Sequence, residues 1–220
     1  MNNNLFSKIV EGLLLDPFFS DYKYRKKGCR LIKTNSDGFD AIVLHNWDGY
    51  DLKRDCRALV IEPIYLKRFD ILHKWFEKHS FKSLTDQRDS YSIGFDGKML
   101  NDFSEFYFKL EGIDFEQDFA LMKSKIINYS HQVFNNYNSL SKLYDKEIVP
   151  ILENDRALPN VGADWVFEYL KLVRIVSPEN YEKVKTIILK QVELLNSKGE
   201  PNIIEYYPKL SNILFTLEEI

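Results

Sequence analysis

Residues 22–47 constrain the fold most strongly, because they have the pattern of two β-strands joined by a polar turn. Before the turn, polar side chains alternate with Cys29 and Leu31. After the turn, residues 39–44 place apolar side chains on both faces of the predicted strand. Alternation is typical of a half-buried strand, and a strand that is apolar on both sides is typical of the interior of a sheet. The intervening residues 34–38, TNSDG, favour tight turns. The segment therefore predicts a β-hairpin whose second strand is central.

A helix is predicted before this hairpin and a third strand after it. Apolar side chains recur at helical spacing over residues 5–15, and Pro17 disfavours the α conformation just after them. Residues 48–55 form a charged loop. Residues 57–65 predict a strand that Pro63 confines to an edge or a strand end, because proline donates no hydrogen bond to a neighbouring strand.

The rest of the chain combines short strands with helices. Residues 66–79, 115–137 and 139–152 show helical periodicity, and residues 91–95 and 106–110 are short aromatic runs that favour strands. Three further helices follow a segment rich in turn residues at 154–162. The predicted fold class is α+β, an antiparallel sheet of four to five strands flanked by helices, with a C-terminal α-helical extension. The predicted domains are residues 1–155 and 156–220.

Composition restricts the function classes. The formal net charge of −3 gives no overall field that favours nucleic acid or an anionic membrane. Two cysteines are too few for a disulfide framework, and the N-terminal stretch lacks the basic region of a signal peptide. No apolar run approaches the roughly 18 residues that cross a bilayer. We therefore expect a cytoplasmic protein with no membrane segment.

A basic run with interleaved aromatic residues is one candidate surface. Cations and rings together suit phosphates and bases, yet the same pattern fits a strand whose aromatic side chains face the core while lysines protect its edge. The strand-edge interpretation is favoured, which makes nucleic acid an unfavoured partner. The candidate residues are Tyr22, Lys23, Tyr24, Arg25, Lys27 and Arg30.

The charged loop is the second candidate surface, because loops often carry recognition residues. Its candidate residues are Asp48, Tyr50, Asp51 and Arg54. A competing hypothesis is a hydrolase in which His45 and Cys56 meet near this loop. Asp70, His73 and Glu77 share a helix face, and a solvated face explains them better than a metal site does. We predict no catalytic residues, no metal site and no cofactor.

Two segments carry a family resemblance: the basic stretch Lys26-Lys27-Gly28 and the aromatic helix end at 133–140. On these segments, residues 5–155 resemble the bacterial domain of unknown function 4304 family. The resemblance implies an α+β fold of unassigned activity, with some relatives similar to immunity proteins beside bacterial toxins. Together with the aromatic content and the lack of a catalytic motif, it favours a cytosolic, non-enzymatic protein-interaction domain, immunity-like, whose partner is another protein. Polyanion binding by residues 22–30 is the remaining alternative.

Overall fold

A computed structural model of the chain describes residues 3–100, 105–110, 114–153 and 163–219. Its strands are β1 Lys23–Arg25, β2 Arg30–Asn35, β3 Gly38–Asp51, β4 Cys56–Phe69, β5 Ile93–Phe95 and β6 Phe106–Lys109. The helices are α1 Asn3–Leu14, α2 Asp70–His73, α3 Leu84–Asp89, α4 Phe115–Asn136, α5 Leu140–Glu147, α6 Val149–Leu152, α7 Ala163–Val176, α8 Tyr181–Ser197, α9 Pro201–Ile204 and α10 Leu210–Glu219.

The six strands form one sheet in the order β1-β2-β3-β4-β5, with β6 also paired to β4. Both hairpin strands predicted from residues 22–47 are present as β2 and β3, paired antiparallel with Leu31 opposite Ile42. The α+β class, the antiparallel sheet and the C-terminal helices are confirmed. The long helix predicted at 115–137 is present as α4.

The predicted boundaries around β4 are wrong. Residues 66–69 continue β4 instead of starting a helix, and α2 is only four residues long before a 3-10 turn at Lys74–Phe76. Because residues 65–69 of β4 are all buried, both faces of the strand are covered here, and such a stretch cannot be distinguished from a buried helix by periodicity. The charged loop is also shorter than predicted, since β3 reaches Asp51 and only residues 52–55 form the turn.

Pro63 lies within a strand that has neighbours on both sides, not on an edge. Residues 58–61 of β4 pair with β6, and residues 65–67 pair with β5. Pro63 falls between these two stretches. The missing amide hydrogen of proline is therefore tolerated where one side of β4 passes from one short partner strand to the next.

The chain forms two compact units. The sheet unit comprises Met1–Arg68 and Ile93–Asn136, and the helical unit comprises Phe69–Ser92 and Tyr137–Ile220. The predicted boundary segment 154–162 lies outside the described residues, and the division into 1–155 and 156–220 stays a prediction.

In the sheet unit, α1 and α4 share a core with one face of the sheet. The fully buried members of this core include Ile9 and Leu13 of α1, Leu31, Ile42, Leu59 and Ile61 of the sheet, and Met122 and Ile126 of α4. Met122 and Ile126 are four residues apart, so they lie on the same side of α4. This packing leaves other positions of α4 exposed, Leu121 among them.

In the helical unit, α7 contacts α2, α5 and α8. Phe76 stacks on Phe167 of α7 with ring centroids 4.8 Å apart, and Tyr206 packs against both rings. The single last helix that the sequence predicts is divided into α9, a 3-10 turn at Tyr207–Lys209 and α10. Pro208 lies in that turn, where it removes a helical hydrogen-bond donor.

We expect Gly49→Ala to destabilise the sheet. A β-carbon at Gly49 of β3 would lie 2.5 Å from Cγ2 of Val60 on the adjacent strand β4, and a β-branched side chain has few alternative rotamers. The substitution should lower the free energy of unfolding by about 1–3 kcal/mol, measured by urea denaturation. In a Val60→Ala background the added cost of Gly49→Ala should largely disappear. An equal cost in both backgrounds would contradict the close approach of the two strands.

Candidate functional site

The turn end of the β3–β4 hairpin is fixed by the guanidinium group of Arg54. Its Nε donates to Asp51 Oδ2 at 2.5 Å, and its Nη1 donates to Asp118 Oδ2 at 2.6 Å. Its Nη2 donates to the backbone oxygen of Tyr107 at 2.5 Å. Arg54 therefore joins the hairpin turn to the first turn of α4 and to β6. We call these four residues the Arg54 clamp.

Local geometry prepares the Asp51 carboxylate for this role. Asp51 ends β3, and its Oδ1 accepts hydrogen bonds from the backbone N–H groups of Lys53 at 2.9 Å and Arg54 at 3.2 Å. An aspartate that bonds the backbone two and three residues later is a common way to form a tight turn. The turn closes at Asp55, which has a positive φ of 49° and accepts a hydrogen bond from the Tyr50 hydroxyl at 2.5 Å.

The protonation of Asp51 reflects two opposing effects. Burial alone would raise the pKa of the carboxyl group, but the Arg54 side chain, the two backbone N–H donors and the Arg54 charge together lower it below its usual range. For Arg54, burial alone would lower the pKa, and the carboxylates of Asp118 and Asp51 raise it instead. Both groups are consequently charged at neutral pH.

An open concavity of about 820 Å³ adjoins the Arg54 clamp. Aromatic and apolar side chains line it from three elements: Tyr50 and Leu52 from the hairpin, Phe106 and Tyr107 from β6, and Leu121 from α4. Lys53, Lys98 and Lys125 also line it, together with Glu105. A concavity of this size with mostly apolar walls and a few placed polar groups is typical of a binding site.

Several apolar side chains around this concavity face solvent. Leu52 is 87% exposed, Leu121 is 57% exposed and Tyr50 is 48% exposed. Leu121 follows Asp118 by three residues, so the helix places it beside the residue that binds Arg54. The lining of the concavity therefore combines ion-paired side chains with exposed apolar ones. We call the exposed residues Tyr50, Leu52 and Leu121 the apolar rim.

The two predicted candidate surfaces lie at different places on the sheet. Tyr50, Asp51 and Arg54 meet at the concavity, and Asp48 is an exposed residue of β3 before it. Arg25 pairs with Arg30, and Arg30 pairs with Val43 of β3. Val43 precedes Asp51 by eight residues in β3, which corresponds to about 26 Å along the strand.

The basic segment has the alternation expected of a strand edge. Strand β1 pairs only with β2 among the described strands. Tyr22 is buried and Tyr24 packs against the core, whereas Lys23, Arg25 and Lys27 are exposed and Arg30 is half-buried. This arrangement supports the interpretation in which the aromatic side chains are structural and Lys23 and Arg25 cover the edge strand, whereas Lys27 lies in the following turn and Arg30 on β2.

The structure does not bring His45 and Cys56 together. His45 Nδ1 lies 3.8 Å from Glu62 Oε2 on β4, and Cys56 is six residues from Glu62 along the same strand, or about 20 Å. Both cysteines are free thiols. The geometry thus gives no support to a cysteine–histidine hydrolase at this end of the sheet.

Sequence reasoning missed four residues that complete the site: Leu52, Tyr107, Asp118 and Leu121. Asp118 and Leu121 belong to α4, 64 and 67 positions after Arg54 (118 − 54 and 121 − 54), and no local motif links them to the hairpin. Asp118 lies in the first turn of α4, where the helix dipole stabilises a negative charge, and this local explanation does not reveal its partner.

No family model, curated protein or solved structure matches the chain. Within the described ranges, none of the helices combines the length and apolar character needed to cross a bilayer.

We expect Arg54→Met to lower the free energy of unfolding by about 2 kcal/mol, because it leaves two partly buried carboxylates without their shared cation. Arg54→Lys should lose a large part of the same energy, since an ammonium group cannot reproduce the planar donor geometry. Lys53→Ala is the matched control at the neighbouring exposed position and should change stability by less than about 0.5 kcal/mol. Equal effects of the Arg54 and Lys53 substitutions in chemical denaturation would show that the clamp contributes nothing.

The clamp also predicts a difference in acid sensitivity between the wild type and Asp51→Asn. Because the folded-state pKa of Asp51 is lowered, its contribution is complete above the unfolded pKa of about 3.9 and is lost as the pH falls through the folded value. Between pH 5 and pH 3 the wild type should therefore lose more stability than Asp51→Asn. Parallel stability curves over this range would contradict the assignment.

Proposed function

We propose that the protein is a protein-interaction domain that recognises its partner with the apolar rim and the adjoining concavity. The observation that carries this proposal is the exposure of Leu52, Leu121 and Tyr50 around a concavity that is also lined by the ion-paired Arg54 clamp. Isolated exposed apolar residues are normal on protein surfaces, but a group of them beside a concavity marks an interaction site.

The composition of this surface agrees with known features of protein interfaces. Aromatic residues and arginine are enriched where binding energy concentrates, and tyrosine offers a large apolar body with a polar end. The Tyr50 hydroxyl is bound to Asp55, which holds the ring in one orientation. A side chain that is already ordered loses less conformational entropy when it binds a partner.

The Arg54 clamp supports the proposal by ordering the backbone of the turn. Exposed turns are usually the most mobile parts of a chain. Here the Arg54 side chain ties the turn to α4 by one hydrogen bond and to β6 by another, and a third binds Asp51 within the hairpin. The apolar side chains of the rim are therefore presented on a preorganised support, and a partner binds them without first ordering the turn.

The proposal extends to the immunity-like role that the family resemblance implies. In that role the partner is a bacterial toxin protein in the same cytoplasm, and the rim occupies part of the toxin surface. The basic segment at residues 22–30 then serves the sheet edge and takes no direct part in recognition.

The proposal is tested with a photo-crosslinking amino acid at position 52 in the native host. Position 15 is the matched control, because Leu15 is also a leucine of the sheet unit and is 85% exposed. We expect position 52 to give one discrete adduct and position 15 to give none of the same mass. Leu121→Asp should abolish the adduct at position 52, because it places a charge in the apolar rim.

The crosslinking experiment can also contradict the proposed surface. Leu121 is exposed, so Leu121→Asp should fold with unchanged circular dichroism. Equal adducts from positions 52 and 15, or an adduct at 52 that survives Leu121→Asp, would overturn the proposed surface. Sequencing of the adduct identifies the partner and shows whether it is a toxin.

A further inference from the structure

The helical unit contains a buried contact chain of serine, histidine and glutamate. Ser92 Oγ lies 2.9 Å from His73 Nε2, and His73 Nδ1 lies 3.0 Å from Glu168 Oε1. The sequence hypothesis that His73 belongs to a solvated helix face is wrong, because the side chain is buried at the end of α2. We call His73, Ser92 and Glu168 the serine cluster.

The surrounding hydrogen bonds assign the tautomer of the histidine. The Ser90 hydroxyl donates to the backbone oxygen of Gln87 at 2.6 Å, so toward His73 Nδ1, at 3.2 Å, its oxygen acts as an acceptor. The carboxylate of Glu168 is an acceptor for the same nitrogen. Nδ1 therefore carries the proton, and in the neutral ring Nε2 accepts the hydrogen bond of Ser92.

We propose that Ser92 is a nucleophile toward carboxylic esters, with His73 as its general base and Glu168 as the positioning residue. A hydroxyl that donates to an unprotonated imidazole nitrogen, whose other nitrogen donates to a carboxylate, is the arrangement that activates serine in hydrolases on unrelated folds. This inference is independent of the protein-interaction surface, since the serine cluster lies in the helical unit and the apolar rim lies in the sheet unit.

The reaction that this geometry supports transfers an acyl group through Ser92. Ser92 Oγ bonds to the carbonyl carbon while its proton passes to His73 Nε2, and the ester C–O bond then breaks as the departing alcohol takes that proton. Water attacks the acylated serine by the same proton transfers in reverse order, which releases the acid and restores the hydroxyl. The backbone N–H of Phe69 donates to Ser92 Oγ at 3.0 Å, so Oγ accepts from Phe69 while its own proton is directed to His73.

Burial is suitable for this chemistry. His73, Ser92 and Glu168 each retain only 8% of their surface exposed, so the cluster is largely desolvated. In a site with little water, the interaction between the imidazolium that forms and the Glu168 carboxylate is stronger than it would be in bulk solvent. A test of the serine cluster therefore requires a small reagent.

The test is covalent labelling of the full chain by diisopropyl fluorophosphate, followed by intact mass and peptide mapping. Attack by Ser92 forms the O–P bond, expels fluoride and sends the serine proton to His73. We expect one phosphoryl group on Ser92 and none on Ser92→Ala. His73→Gln should slow labelling by about 100-fold or more, and Glu168→Gln should slow it without changing which residue is labelled.

Ser90→Ala removes the second group that contacts His73 Nδ1 and leaves Glu168 in place. It should keep the label on Ser92 and slow labelling no more than Glu168→Gln does. Circular dichroism and melting temperature of each variant distinguish loss of the nucleophile from loss of the fold. Absence of label on the folded wild type, or equal labelling of wild type and His73→Gln, would overturn the proposal.

Discussion

The β3–β4 turn depends on the hydrogen bonds and ion pairs made by the guanidinium group of Arg54. It provides five N–H donors in a fixed plane, and three of its nitrogens bind groups from three different elements. Without a cation at this point, the carboxylates of Asp51 and Asp118 would repel one another in a partly buried place. One side chain therefore determines whether the turn, the start of α4 and the end of β6 form a single surface.

This arrangement explains why a surface with exposed leucines is compatible with a stable fold. The buried face of α4 is fixed by Met122 and Ile126, and its rotation places Asp118 and Leu121 at the hairpin. The core thus determines the direction of the helix, and the Arg54 clamp fixes the turn against it. The apolar rim adds little to stability, which leaves those positions available for binding.

Local patterns in the sequence predict much of the fold. The alternation and turn residues of 22–47 give β2 and β3, and the apolar spacing of 115–137 gives α4, because both signals depend only on neighbours in the chain. The same signals fail over residues 66–69, where burial on both faces removes the alternation that identifies a strand. Pro208 marks the break before α10, and it is a local signal that the apolar spacing alone does not reveal.

The candidate sites were only partly predictable, for a related reason. Tyr50, Asp51 and Arg54 attract attention as a charged loop with an aromatic residue, but Asp118 becomes their partner only after the helix packs. Likewise, His73, Ser92 and Glu168 converge from positions 19 and 76 residues apart (92 − 73 and 168 − 92), without a local motif. Such convergence is a property of tertiary structure.

The central claim is that the apolar rim on its Arg54 support binds a partner protein. Hydrogen–deuterium exchange of the protein with and without the partner captured at position 52 tests it most directly. The account predicts added protection at residues 50–54 and 118–125, with residues 22–30 unchanged. Protection confined to residues 22–30, with the hairpin turn exchanging at its free rate, would contradict the claim.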